Sequence, residues 1–369
     1  MISYLLIKFS GIINHGKGTT ALAGQTKEKL LYILDILKKT DEQHPINTVE
    51  ILKKLEDRGL FAERKSIARD ISVLKEAGYS IISCDELKKG FYMTDQLFED
   101  YELKMLADAI AGAKFLTERD TENLLEKLIQ LATPTGEEIL KEQTVIDPEI
   151  KTSNLTPRYN IDKIITAIKQ RRRISFCYYE RTKDGSLKLK RDGHVYEISP
   201  YYLVWSEDEY YLIGNSKSHN HLTHFHADMI TNAEIGDLPA RPCAEIEEFR
   251  GGFSICDYLR RNVSMFTGPD VDIEMLVDPS VIKDVVKRFG NEVRFVVLPD
   301  GRSKATVHAV EGEGTLRWLC GFRVEELEVV GPESVRRAIG ERAFAAAKAY
   351  SETAAKDGEK AGRGAALFF

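Results

Sequence analysis

The chain has little of what marks the specialised protein classes. Only 5 of its 369 residues are cysteine, and Cys84, Cys177, Cys243, Cys256 and Cys320 are odd in number with no C-x-x-C spacing. That argues against a disulfide framework and predicts buried, reduced thiols in a cytoplasmic protein. With 11 prolines and 26 glycines the chain is neither fibrous nor collagen-like. No apolar run approaches the roughly 18–20 residues needed to cross a bilayer, so no membrane partner is expected. Met1–Phe9 is greasy but interrupted by Lys8, without a basic leader, so no secretory signal is read. Positive charge is not in excess either: 52 Lys and Arg against 58 Asp and Glu leave a net charge of −6. Any nucleic-acid binding must therefore come from a local patch.

What is present is enough apolar material, 43% of residues, for several cores, and the length favours two or three domains. Residues 1–24 carry little pattern and are expected to form a loose extension. Within them Gly11 to Gly18 nearly spells a phosphate-binding loop, but Gly18 stands where a Mg²⁺-coordinating Ser or Thr belongs, so no nucleotide loop is read. From Thr26 the pattern turns helical. Leu30, Leu31, Ile33, Leu34 and Leu37 form one stripe; Asn47-Thr48 can cap a second helix carrying Val49, Leu52 and Leu55; a third runs from about Ala62 to Ala77. Tyr79–Ser83 and Gly90–Thr94 then read as two strands around a polar turn. Three short helices followed by a hairpin predict a winged helix-turn-helix over residues 25–95.

The third helix carries the chemistry. At about 100° per residue, Ile67, Ile71 and Leu74 share one face. Lys65, Arg69 and Ser72 point away from it, with Arg64 on the flank. A helix entering the major groove needs an apolar anchor behind and long donors in front. Arg64, Lys65, Ser66, Arg69 and Ser72, with Lys88 and Lys89 on the hairpin, are the predicted contacts to double-stranded DNA.

Residues 96–156 hold 13 acidic and 6 basic side chains and read as a helical linker or dimerisation region with two amphipathic helices, the second ending before Pro134. The charge then reverses, with 11 basic and 5 acidic residues between Pro157 and Pro200. After a helix containing Ile161, Ile164, Ile165 and Ile168 come short aromatic strands, Ile174–Tyr179, Val195–Ile198, Tyr201–Trp205 and Tyr210–Gly214. Strands so short and closely spaced suggest a small barrel over 157–240. Residues 241–350 mix strands and helices as a compact α/β module, and 351–369 are expected to be a flexible tail. The predicted fold class is multidomain α+β.

These residues resemble the WYL-domain transcriptional regulators of bacteria, over roughly 26–350. Arg64-Lys65-Ser66-Ile67 and Arg69-Asp70-Ile71 look like that family's recognition helix, and Lys151–Asn154 with Tyr159-Asn160-Ile161-Asp162 is similar to its linker. Tyr196–Trp205 followed by Tyr210-Tyr211-Leu212 stands where the name-giving Trp-Tyr-Leu belongs, and Gly314–Phe322 looks like its C-terminal extension. The resemblance implies a DeoR-like winged helix, an SH3/Sm-like barrel that senses a ligand, and a homodimer. The implied effector is a nucleotide or single-stranded nucleic acid, stacked on aromatic platforms in a basic groove. Tyr178, Tyr179, Tyr196 and Tyr211 are the candidate platforms, and Arg171–Arg173, Arg181, Lys188, Lys190 and Arg191 the candidate charges.

One departure matters. Family members usually carry a strand such as Phe-Arg-x-Asp-Arg-Met; here it reads Phe225-His226-Ala227-Asp228-Met229-Ile230, with both arginines replaced. Neither histidine nor methionine copies arginine's bidentate fork. The same stretch holds four of the eight histidines within His219–His226. On a strand, His224, His226 and Asp228 would share a face and offer a metal- or pH-responsive site. The simpler reading is a polar hairpin with incidental histidines, so no metal or cofactor is expected. No Ser/His/Asp order or His-x-x-x-His helix appears, and catalysis is not expected. The sequence thus predicts a DNA-binding regulator modulated by an effector at Tyr178, Arg191, Tyr196, Tyr211, His224, His226 and Asp228.

Overall fold

The computed structural model describes residues 20–84, 90–152, 154 and 157–365. The chain divides into two compact units, one formed by the segments up to Ala113 and Thr117–Lys151, the other by Lys114–Leu116 and everything from Thr152.

In the first unit α1 (Thr20–Leu37), α2 (Thr48–Glu56) and α3 (Arg64–Glu76) precede the antiparallel hairpin β1 (Ile81–Cys84) and β2 (Gly90–Met93). Asn47 caps α2 in a reciprocal box with Glu50, which fixes where the helix starts. Ile33, Leu37, Ile51, Leu55, Ile67, Ile71, Leu74 and Met93 close one core. Phe91 of the hairpin also pairs with Ile46. That approach requires glycine at position 90, because a Cβ there would lie 2.8 Å from the Ile46 carbonyl oxygen. The extension expected over 1–24 gives way to α1 at Thr20; the earlier residues, with the Gly11–Gly18 motif, lie outside the described residues.

The acidic region holds three helices, α4 (Asp100–Gly112), α5 (Glu118–Ile129) and α6 (Pro134–Gln143), around Leu103, Ala107, Ala132 and Leu140. The second expected helix does end before Pro134, and Pro134 then opens a further helix, α6. Thr133 caps that helix, and proline at its first position gives up no hydrogen bond.

The second unit begins with α7 (Pro157–Gln170), which covers a curled antiparallel sheet. Its strands are β3 (Arg172–Arg181), β4 (Leu187–Leu189), β5 (Tyr196–Ser206), β6 (Glu209–Ser216), β7 (Thr223–His226) and β8 (Ile230–Pro239). The hydrogen-bonded order is β4-β3-β5-β6-β7, and β8 returns to pair with β3. Ile164, Ile174, Phe176, Ile198, Leu212, Phe225 and Ile230 fill the space between helix and sheet. The two strands expected at 195–198 and 201–205 are one strand, β5, carrying a bulge between Pro200 and Tyr202.

Beyond α8 (Ile255–Arg261), β9 (Asp270–Val277), α9 (Ile282–Phe289), β10 (Phe295–Val297), β11 (Ser303–Val310), α10 (Glu313–Leu319) and β12 (Leu327–Gly331) build a four-stranded antiparallel sheet backed by helices. Trp318 packs edge-on against Phe289 and Phe322, as a core residue would. The tail expected from 351 onward instead continues α11 (Glu333–Ala365). None of the five cysteines is buried as expected: Cys243, Cys256 and Cys320 are exposed and Cys84 and Cys177 half-buried. Among the described residues no helix is long and apolar enough to cross a membrane.

Candidate nucleic-acid interface and effector site

On α3, Ile67, Ile71 and Leu74 are buried as the helical spacing requires. Arg64, Lys65 and Arg69 are exposed, and none forms an ion pair among the described residues. Three cations held outward on an anchored helix are free to meet phosphates or base edges. Ser72 is exposed too, its hydroxyl donating back to the Ala68 carbonyl at 3.1 Å. Ser66 sits differently from them. It is half-buried and its hydroxyl accepts from the Lys29 ammonium, which also lies 2.7 Å from the buried Asp70 carboxylate. Lys88 and Lys89 lie outside the described residues.

In the second unit the expected effector residues do not all face one site. Tyr211 of β6 is 4% exposed, too deep to serve as a stacking platform. Tyr196 is half-buried between a stacked Phe176 at 5.9 Å and the His194 ring at 4.9 Å. Arg191 is exposed in a left-handed turn and has no side-chain partner among the described residues. Two of the arginines expected to supply a basic groove are already paired, Arg173 with Glu197 at 2.8 Å and Arg172 with Asp237 at 3.7 Å.

The histidines do not act together. The face expected to join His224, His226 and Asp228 is broken, because β7 ends at His226 and a single 3₁₀ turn, Ala227–Met229, follows. His224 points into the seam with α8. Its Nδ1 lies 2.6 Å from the Met265 carbonyl and its Nε2 lies 2.8 Å from the Tyr258 hydroxyl. A carbonyl only accepts, so Nδ1 carries the proton and Nε2 accepts from Tyr258. Burial holds this imidazole below its ordinary pKa, outweighing the Met265 hydrogen bond and the Glu248 charge that oppose it.

His226 faces elsewhere. It pairs with Tyr211 across the strands, the two rings 4.5 Å apart, and its Nδ1 lies 2.9 Å from Glu209 Oε2. Its backbone N–H donates to the Tyr178 hydroxyl at 3.1 Å. One ligand atom each from Glu209, His226 and Asp228 can be chosen so that all lie within 4.8 Å of one another. The hydrogen bond from His226 lowers the Glu209 carboxyl against the effect of burial, whereas burial and the neighbouring Glu209 charge raise Asp228. Burial also pushes the Tyr178 phenol well up. The helix, the curled sheet and this cluster lie in one continuous stretch of chain. Residues 159–235 match the WYL domain.

That match runs from the first turn of α7 into β8, so the WYL domain supplies Tyr178, Tyr196, Glu209, Tyr211, His226 and Asp228. Its partner elements, α8 and the 3₁₀ turn Val263–Met265, lie beyond it. No curated protein matches the chain. Among solved structures, proteasome accessory factor B/C (PafBC) of Arthrobacter aurescens is similar at 16% identity and a TM-score of 0.23, covering 88% of this chain. The chain spans 47% of that protein's length. A second structure, described as a CRISPR Cas-related protein, is similar at 13% identity and a TM-score of 0.36, over 93% of this chain and 89% of the other.

Glu209 escaped the sequence reading. It lies 17 residues from His226 and joins it only because β6 and β7 pair with Tyr211 opposite His226. Residues two apart on a strand share a face, so that register brings Glu209 to the same side.

Proposed function

We propose that the chain is a DNA-binding transcription regulator, acting as a homodimer, whose WYL domain senses an effector. In this reading the first three helices and the hairpin are a winged helix-turn-helix with α3 as its recognition helix. The curled sheet is a small SH3/Sm-like barrel, and the module behind it is the C-terminal extension. The observation that carries the reading is the outward display of Arg64, Lys65 and Arg69, exposed and without ion pairs among the described residues, on a helix anchored by Ile67, Ile71 and Leu74. A regulator of this kind works without catalysis, through effector binding that favours one arrangement of its DNA-binding heads.

The test is fluorescence anisotropy of the full chain on the duplex upstream of its own coding sequence, across a salt series, with scrambled-duplex and single-strand competitors. Saturable binding that outcompetes both and weakens steeply with salt is the expected result. Absence of binding to duplex at low salt would refute it.

A further inference from the structure

We propose that Glu209, His226 and Asp228 of the WYL domain bind one divalent first-row transition-metal ion, with one carboxylate oxygen from each acid and one His226 ring nitrogen as ligands. As the domain's effector, the ion would deepen the regulator reading and rests on it; as a bound ion, it stands on the site alone.

The strand register builds the site. Tyr211 and His226 are paired across β6 and β7, so Glu209, two residues before Tyr211, stands beside His226 on the same face. The 3₁₀ turn Ala227–Met229 then brings Asp228 to the same place. The three ligand atoms lie within 4.8 Å of one another. An ion with bonds of about 2.0–2.2 Å holds such atoms about 3.0–3.6 Å apart, so closure calls for a shift of roughly 1–2 Å, a distance within reach of side-chain rotation.

The donors also define the ion. Two carboxylates neutralise a double charge, and one imidazole favours zinc, nickel, cobalt or iron over magnesium and calcium. Neither Glu209 nor Asp228 is ion-paired to Lys or Arg among the described residues, and the single partner seen is His226 itself. The supporting groups are fixed. The Tyr178 hydroxyl holds the His226 backbone, and Asn154 Nδ2 donates to the Asp228 carbonyl at 2.6 Å. Such outer contacts orient ligands at protein metal sites. His224 is excluded, both its nitrogens being engaged with Met265 and Tyr258.

The experiment is calorimetric titration of the metal-stripped, untagged full chain with Zn²⁺, Co²⁺, Ni²⁺, Mg²⁺ and Ca²⁺, together with the Co²⁺ absorption spectrum. One equivalent of Zn²⁺ or Co²⁺ should bind, with Mg²⁺ and Ca²⁺ at least tenfold weaker. Glu209→Gln and Asp228→Asn keep shape and should each lower affinity tenfold or more, as should His226→Ala; His221→Ala should not. No saturable binding, equal affinity in all variants, or thiolate charge-transfer bands in the Co²⁺ spectrum would overturn the site. Anisotropy on duplex DNA with and without metal separates the two readings. Metal binding without DNA binding leaves the site standing and removes the regulator; DNA binding without metal binding does the reverse.

Discussion

Lys29 of α1 reaches to 2.7 Å from Asp70 of α3, with both side chains almost wholly buried. Its hydrogen bond goes to Ser66, and the facing Asp70 oxygen has an ion partner but no aligned donor. One lysine thus pins the first turns of α3 to α1. Removing one member of a buried pair strands the other charge, which costs more than the pair contributes. Asp70→Ala is expected to destabilise the first unit by about 2–4 kcal/mol in urea unfolding, whereas the double variant Lys29→Met, Asp70→Leu recovers most of that loss. Equal losses in both variants would mean that packing, not charge, sets the cost.

Arg69 projects from the side of α3 opposite its buried stripe. If it reaches a base edge in the operator, Arg69→Ala weakens specific binding by about 1–3 kcal/mol and relaxes sequence preference at one position. Lys65→Ala is expected to weaken binding to all duplexes alike and reduce the salt slope by about one. Anisotropy titrations of operator and scrambled duplex at several salt concentrations separate the two outcomes.

Most elements were legible because their signals are local. The stripe of Ile67, Ile71 and Leu74, the Asn47 cap and the β9 and β11 alternations are written in neighbouring residues. Ser66 lies on the flank of α3 beside Asp70, and only the distant Lys29 decides that this flank faces inward. Pro134 marks the end of α5 in the sequence, but that it also begins α6 depends on the Thr133 cap, since proline both ends helices and begins them. The site itself was half legible. His226 and Asp228 stand out in sequence, but Glu209 depends on strand register and the loss of His224 depends on Tyr258 and Met265. Long-range pairing of that kind leaves no trace in spacing.

Asp41 joins the end of α1 to the start of α6, accepting from the Thr135 backbone N–H at 2.9 Å and from His44 at 2.7 Å. Burial opposes ionisation there, but the Thr135 and His44 hydrogen bonds prevail and hold the carboxyl below its ordinary value. A depressed carboxyl stabilises the fold above the unfolded-chain value near 4 and loses that contribution as pH falls through the folded value. Asp41→Asn should therefore be less stable than the parent at pH 7 and converge with it in strong acid. Parallel pH–stability curves would show that Asp41 does not titrate with unfolding.

His224 titrates with the opposite chemistry and in a milder range. Tyr258, Met265, Glu248 and His226 surround it, and burial keeps it neutral below the ordinary histidine value of about 6.5. The unfolded chain takes up a proton near that value while the folded chain does not, so protons favour unfolding there. The contribution is complete above about pH 6.5 and is lost as pH falls from there toward the folded value. His224→Gln should lower stability at pH 7.5 yet show a flatter curve between pH 7 and 5 than the parent. Urea midpoints measured at half-unit pH steps check this. Identical slopes in parent and variant would place the acid sensitivity of the second unit elsewhere. A steeper slope in the parent would identify the contact from β7 to Tyr258 and Met265 as the fastening that opens first in acid.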